Sequence, residues 1–163
     1  MKKLNLAVLA GLAACAGGGS SETPSLPSSY LSEEPNDSFL VPNVIVPDGP
    51  LYLVEGYVHA GDLDCMLCTG TNGIPFNETG NDKLVNVKID YAAGWDCDVY
   101  IGWQDATGNG NFLWQAFDQW GQGHFEADVT VPSGAGWLML AIGQNTLNTP
   151  PDSTRYTFTV EVF

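Results

Sequence analysis

Three tryptophans, Trp103, Trp114 and Trp120, stand among Gln104, Gln115, Asp118 and Gln119, residue types that suit a flat ligand with many hydroxyls. Indole faces stack on sugar rings while amides and carboxylates meet the hydroxyl groups, so this segment is a candidate glycan platform. Core packing competes with that reading, because Trp103 shares a row with Val99 and Ile101. Asp96 and Asp98 are the carboxylate pair best spaced for acid–base work on a glycosidic bond, although an acidic strand face facing water is far commoner. Cys65-Met66-Leu67-Cys68 has the spacing of a redox or zinc half-site, but no second CxxC or His pair completes it. A structural bridge is the better reading, with three pairings open among Cys65, Cys68 and Cys97. Asp105-Ala106-Thr107-Gly108-Asn109-Gly110 matches half of an EF-hand loop, yet position twelve is Ala116, so a hairpin turn is expected there. His59 and His124 fall in different segments, and the chain has neither H-E-x-x-H nor G-x-S-x-G. A non-enzyme is expected.

The elements that must position these residues are strands. Val85, Val87, Ile89 and Tyr91 alternate with Asn86, Lys88 and Asp90, the pattern of a half-buried strand. Phe125–Val131, Tyr156–Val162 and the row Cys97, Val99, Ile101, Trp103 repeat it. Trp137–Ile142 is apolar on both faces, as a central strand would be. Leu51–Val58 and Asn111–Phe117 bring the expectation to about seven strands. Turn signals separate them at Pro47-Asp48-Gly49, Gly108-Asn109-Gly110 and Pro132-Ser133-Gly134. Without any 3.6-residue period, this spacing predicts an all-β fold, an antiparallel β-sandwich.

The N-terminus has a different texture. Lys2 and Lys3 precede an apolar run, Leu4–Ala14, that ends in small residues, which is the layout of a cleaved secretory signal. Eleven residues are too few to span a bilayer as a helix. From Ala16 to Ser32 the chain is rich in Gly, Ser, Pro and Thr and reads as a flexible tether. The expected division is therefore 1–14 signal, 15–32 Cys15 and linker, and 33–163 folded domain. Without the signal the chain keeps Lys83, Lys88 and Arg155 against nineteen acids, a formal charge of −16. Such a surface repels nucleic acid and anionic lipid. With 44% hydrophobic residues it still buries a core.

Two resemblances sharpen this. Leu12-Ala13-Ala14-Cys15 resembles the lipobox of bacterial lipoproteins. The likeness implies a diacylglycerol on the Cys15 sulfur, cleavage before it and fatty acylation of the new amine, so that the membrane is a partner through the lipid anchor. Ala16, in place of the aspartate that retains such proteins at the inner membrane, implies the outer membrane, facing either the periplasm or the exterior. Further on, Glu34-Pro35-Asn36-Asp37-Ser38-Phe39, Gly56-Tyr57-Val58 with Asp62-Leu63-Asp64, Ala93–Ile101 and Ser133–Leu138 follow in order. That order resembles the bacterial pre-peptidase C-terminal domain, a secreted jelly-roll-like sandwich found beside proteases and in lipoproteins. It implies a non-catalytic module that acts on a protein or polysaccharide partner. Some members bind calcium where the opening segment folds back, which carries over to Glu34, Asn36, Asp37, Asp62 and Asp64.

Overall fold

A computed structural model describes residues 27–32, 38, 40, 42–78, 80–116, 123–144 and 153–163. The strands are β1 (Ser28–Leu31), β2 (Asn43–Ile45), β3 (Leu51–His59), β4 (Leu63–Cys68), β5 (Lys83–Tyr91), β6 (Cys97–Gln104), β7 (Gly110–Ala116), β8 (His124–Val131), β9 (Trp137–Gln144) and β10 (Ser153–Val162). They form two five-stranded sheets, ordered β1-β3-β10-β5-β8 and β2-β4-β9-β6-β7. The two-sheet sandwich expected from the alternating rows is what the chain builds.

Alternation decides which face of each strand is buried. On β5, Val85, Val87 and Ile89 are fully buried, and on β10 Tyr156, Phe158 and Val160 are too. Register lays Phe158 between Val54 of β3 and Ile89 of β5, so these rows form one continuous inner wall. The facing wall comes from Met66, Cys68, Val99, Ile101, Leu138, Leu140 and Ile142. Each fully buried Val, Leu, Ile or Phe side chain contributes about 1.5–3 kcal/mol relative to leaving it in water, which makes this double wall the main source of stability.

Among the described residues ten strands replace the seven expected, and the three additional ones have physical explanations. β4 lacks alternation, since five of its six residues are buried, so its sequence looks like a turn followed by a Cys motif. β1 and β2 are four and three residues long, and both add in parallel at sheet edges, β1 on β3 and β2 on β4. β1 also corrects the tether boundary, because Ser28–Leu31 lies inside the segment assigned to the linker by composition. It is held by specific contacts. Tyr30 meets the Tyr52 ring edge-on at 6.1 Å, and its hydroxyl donates to Asp48 Oδ1 at 3.1 Å while accepting from the Asp48 amide at 2.9 Å. Ser28 donates to Asp48 Oδ2 at 2.8 Å and Ser29 to Glu55 Oε2 at 2.7 Å.

Strand direction gives the sandwich two poles. Ser28 pairs with Tyr52 at the start of β3, so the chain arriving from the N-terminus enters at the pole of loops 46–50, 69–82 and 105–109. The opposite pole carries the β3–β4 turn and the segment before β6. β3 separates the two by about 27 Å, at roughly 3.4 Å for each of its steps.

Candidate functional site

Cys65 and Cys68 sit in one extended strand, three positions apart. At about 3.3 Å per residue their Cα atoms are roughly 10 Å apart, well beyond the 7 Å that a disulfide bridges. Cys97 pairs with Gln144 of β9, whereas Cys65 and Cys68 pair with Ala141 and Leu138 of the same strand. The offset puts Cys97 about three and six strand positions along the sheet from them. The expected bridge is therefore corrected: all three cysteines are buried and none is joined to another in a disulfide. Burial pushes the Cys68 and Cys97 thiols up to about 12, which leaves them unreactive at neutral pH.

Of the tryptophan platform, the structure describes two members. Trp103 and Trp114 are partly buried and packed against the core. Trp114 lies opposite Ile101 in register, hence on the inner side, and its ring is 5.9 Å from Phe125 across the open edge between the sheets. Phe125 in turn stacks on Tyr91 at 6.1 Å, so these rings seal that edge. Trp120 lies outside the described residues. The carboxylate pair does not form either, because β6 begins at Cys97 and strand alternation does not extend to Asp96. Asp96 is only 3% exposed, while Asp98 is half-buried on the outer face. Of the histidines, His59 closes β3 at the surface, and His124 meets Asp90 Oδ1 through Nδ1 at 2.7 Å.

The half EF-hand is a hairpin turn. Asp105 Oδ1 accepts hydrogen bonds from the Thr107 amide at 2.8 Å, the Thr107 hydroxyl at 2.7 Å and the Asn109 amide at 2.9 Å. These bonds hold its carboxyl below the usual range. They also tie the carboxylate to its own loop, between β6 and β7. Gly110 must be glycine here, since a Cβ would run into the Trp103 carbonyl.

Of the calcium set, Glu34, Asn36 and Asp37 lie outside the described residues. Asp62 sits in the β3–β4 turn, where Oδ1 accepts from the Leu63 amide at 2.9 Å and Oδ2 from the His59 amide at 3.5 Å. Asp64 is 1% exposed and pairs with Ile142 on the inner face of β4. Among the described residues no three His, Cys, Asp or Glu side chains converge on a point that a cation could occupy. Asp62 and Asp64 therefore do not make a calcium site without ligands from the opening segment.

What the fold does assemble at this pole is a groove of about 410 Å³ on the outer face of the second sheet. Gly143 of β9 forms its floor, flanked by Leu63 of β4 on one side and Asp98 of β6 on the other. The missing side chain creates the hollow: a Cβ on Gly143 would come within 3.2 Å of Leu63 Cδ1. Gly61, Asp62, Tyr100 and Gln144 complete the lining. Burial and the neighbouring Asp98 charge raise the Tyr100 hydroxyl above its ordinary value of 10.0, so it stays protonated and able to donate. Its ring contacts Phe112 of β7 at 5.5 Å, tilted 46°, and Phe112 is 41% exposed. The groove thus offers an aromatic shelf, two carboxylates and a phenol, with no nucleophile–base pair among its residues. Sequence reading missed it because Asp98 came forward only as a partner for Asp96, and Tyr100 was not singled out. Their pairing with the β3–β4 turn depends on β9 lying between β4 and β6, a long-range fact.

No protein-family model matches the sequence, and no curated protein matches it. Among solved structures that match, three are remote in sequence. The Yersinia pseudotuberculosis-derived mitogen is 7% identical at a TM-score of 0.48, over 69% of this chain and 86% of that one. The pre-peptidase C-terminal domain of a Bacillus anthracis collagenase is 12% identical at 0.45, over 84% of this chain and 98% of that one. The CBM22-1 xylan-binding domain of Paenibacillus barcinonensis Xyn10C is 11% identical at 0.31, over 66% and 85%.

Proposed function

We propose that this chain is an outer-membrane lipoprotein that displays a non-catalytic β-sandwich as a binding module, with the groove around Gly143 as its contact site. The observation that carries the reading is the polarity of the sandwich. The chain from Cys15 enters at one pole through β1, and the groove of Asp62, Asp98 and Tyr100 opens at the other. A module held in this way presents its recognition surface away from the lipid. The Leu12–Cys15 motif and the Gly/Ser-rich stretch after it support the anchor.

A polysaccharide is the second reading, and one specific feature favours it. Tyr100 and Phe112 form an aromatic pair on the outer face beside Asp98, the combination once sought in Trp103, Trp114 and Trp120. Rings of this kind stack on a pyranose face while carboxylates accept its hydroxyl protons. The test is affinity electrophoresis of the mature chain in gels containing neutral and acidic cell-wall polysaccharides. Tyr100→Ala and Asp98→Ala are expected to abolish retardation where the wild type is retarded. Retardation unchanged in both variants refutes the groove as the site, and none with any polymer leaves a protein as the partner. For the anchor, Cys15→Ser is expected to move the full-length chain from the membrane to the soluble fraction; membrane retention of that variant refutes lipidation.

A further inference from the structure

Lys83 is a cation on the wrong face of its strand. It opens β5 in the same alternation as Val85, Val87 and Ile89, so it stands on the inner side of the strand, half-buried at the end of the sandwich. Lys88 and Arg155 each have an acid partner, Glu126 and Glu55. Lys83 has none among the described residues, in a domain where acids outnumber bases several-fold. Its ammonium donates one hydrogen bond, to the Phe76 carbonyl at 2.7 Å, and lies 5.4 Å from the centre of the Phe76 ring. Two of its three N–H donors are left for other acceptors.

Lys83 is among the residues that line a cavity of about 180 Å³ at the mouth of the sandwich, on the pole where β1 begins. The walls are Pro47, Pro50, Tyr52, Phe76 and Val162, closed by the loop Thr69–Thr71. That loop is built to stand there. Asn72 takes a left-handed conformation, φ 61°, and its amide donates to the Pro47 carbonyl at 2.9 Å, locking the two walls together. A cavity of roughly 150 Å³ lined by apolar side chains holds a benzene ring. This one is somewhat larger and has a single charge at its edge.

We propose that the cavity binds a small organic carboxylate with a flat apolar body, the ring between Pro47, Pro50 and Phe76 and the carboxylate on Lys83 Nζ. The charge complement decides the class of ligand. A neutral ring would gain nothing from the ammonium, and an inorganic anion would leave the apolar walls unfilled. The site stands apart from the groove at the far pole and does not depend on it.

The test uses 3-phenylpropionate and its neutral counterpart 3-phenylpropanamide, titrated into the mature chain and followed by ligand-observed and amide NMR. Saturable binding of the acid is expected, with the amide about tenfold weaker or worse, as befits the loss of a charge-assisted hydrogen bond. Lys83→Met is expected to bring the acid down to the level of the amide, and Lys83→Arg to keep the preference. Equal affinity for acid and amide overturns the proposal, as does the absence of saturable binding by either. Should Lys83→Met fail to fold, the acid-to-amide ratio of the wild type decides alone. Tyr100→Ala, at the other pole, is expected to leave this binding unchanged.

Discussion

Gly56 on β3 faces the core among Tyr52, Val54 and Val58, and the ring of Tyr156 fills the space that its missing side chain leaves. A Cβ at this position would lie 2.6 Å from Tyr156 Cζ and 2.9 Å from Cε1, and closer still to the hydroxyl oxygen. Real Cβ atoms do not approach so near, so Gly56→Ala forces the ring or the strand to move. The ring is fully buried and stacks edge-on against Phe158 at 5.7 Å, which leaves it little room. Overpacking of this kind costs about 1–3 kcal/mol. The loss of glycine freedom in the unfolded chain offsets about 0.4–1 kcal/mol of that. The net destabilisation is about 1–2 kcal/mol, a fall of roughly 2–8 °C in melting temperature for a chain of this length. Scanning calorimetry and urea unfolding measure both quantities. The cause is separable from a general intolerance of β3. Tyr156→Phe removes the nearest clashing atom, the hydroxyl oxygen, but keeps Cζ and Cε1 in place, and is expected to rescue only part of the loss. Tyr156→Leu removes the ring, and the double variant with Gly56→Ala is expected to be more stable than the sum of the single effects by about 1 kcal/mol. Additive effects, within about 0.3–0.5 kcal/mol, would refute the reasoning, because independent sites add in that way.

Three further outcomes follow from the site geometry. Ellman's reagent is expected to leave the native, delipidated chain untouched and to titrate Cys65, Cys68 and Cys97 after denaturation without reductant; a mass lower by the two hydrogens of a disulfide would contradict the free thiols. Hydrogen bonds from Ser28 and Tyr30 hold Asp48 below its ordinary 3.8, and Ser29, then Arg155, hold Glu55 below 4.5. A depressed folded value stabilises above the ordinary value and is lost as pH falls through the folded one, so β1 is expected to loosen below about pH 4. Amide exchange at Tyr30 and Leu31, corrected for its intrinsic pH dependence, reads this, and equal protection at pH 3 and 6 would count against it. If calcium binds through the opening segment and Asp62, millimolar Ca²⁺ raises the melting temperature and Asp62→Asn abolishes the rise. A melting curve indifferent to calcium removes the ion from the account.

The sandwich was legible because β3, β5, β6, β8 and β10 each bury one face, and period-two alternation is a local property of sequence. β4 was not, since a strand buried on both sides carries no alternation and its Asp62-Leu63-Asp64 start imitates a turn. β1 was hidden for another reason: Ser28-Ser29-Tyr30 has the composition of a linker, and only the contacts of Asp48 and Glu55 with its hydroxyls make it a strand. The aromatic residues misled where burial mattered more than type. The rule that indoles stack on ligands singles out Trp103 and Trp114, but their register with Asn111 and Ile101 turns them inward, while half-buried Tyr100 and exposed Phe112 stand on the outer face. The groove was out of reach because Gly143 gains its meaning only once β9 is known to run between β4 and β6.

The parallel seating of β1 on β3 has a mechanical consequence. Only twelve residues, Ala16–Pro27, separate Cys15 from the first strand, so at about 3.5 Å each the body could stand no more than roughly 40 Å from Cys15 if that residue carries the proposed anchor. Tension on that stretch, directed along the strand, loads the four β1–β3 pairs together in shear instead of opening them one at a time like a zipper. Under such a load β1 and β3 would resist as a unit, and slip of this short clasp would lengthen the reach without unravelling the two walls behind it.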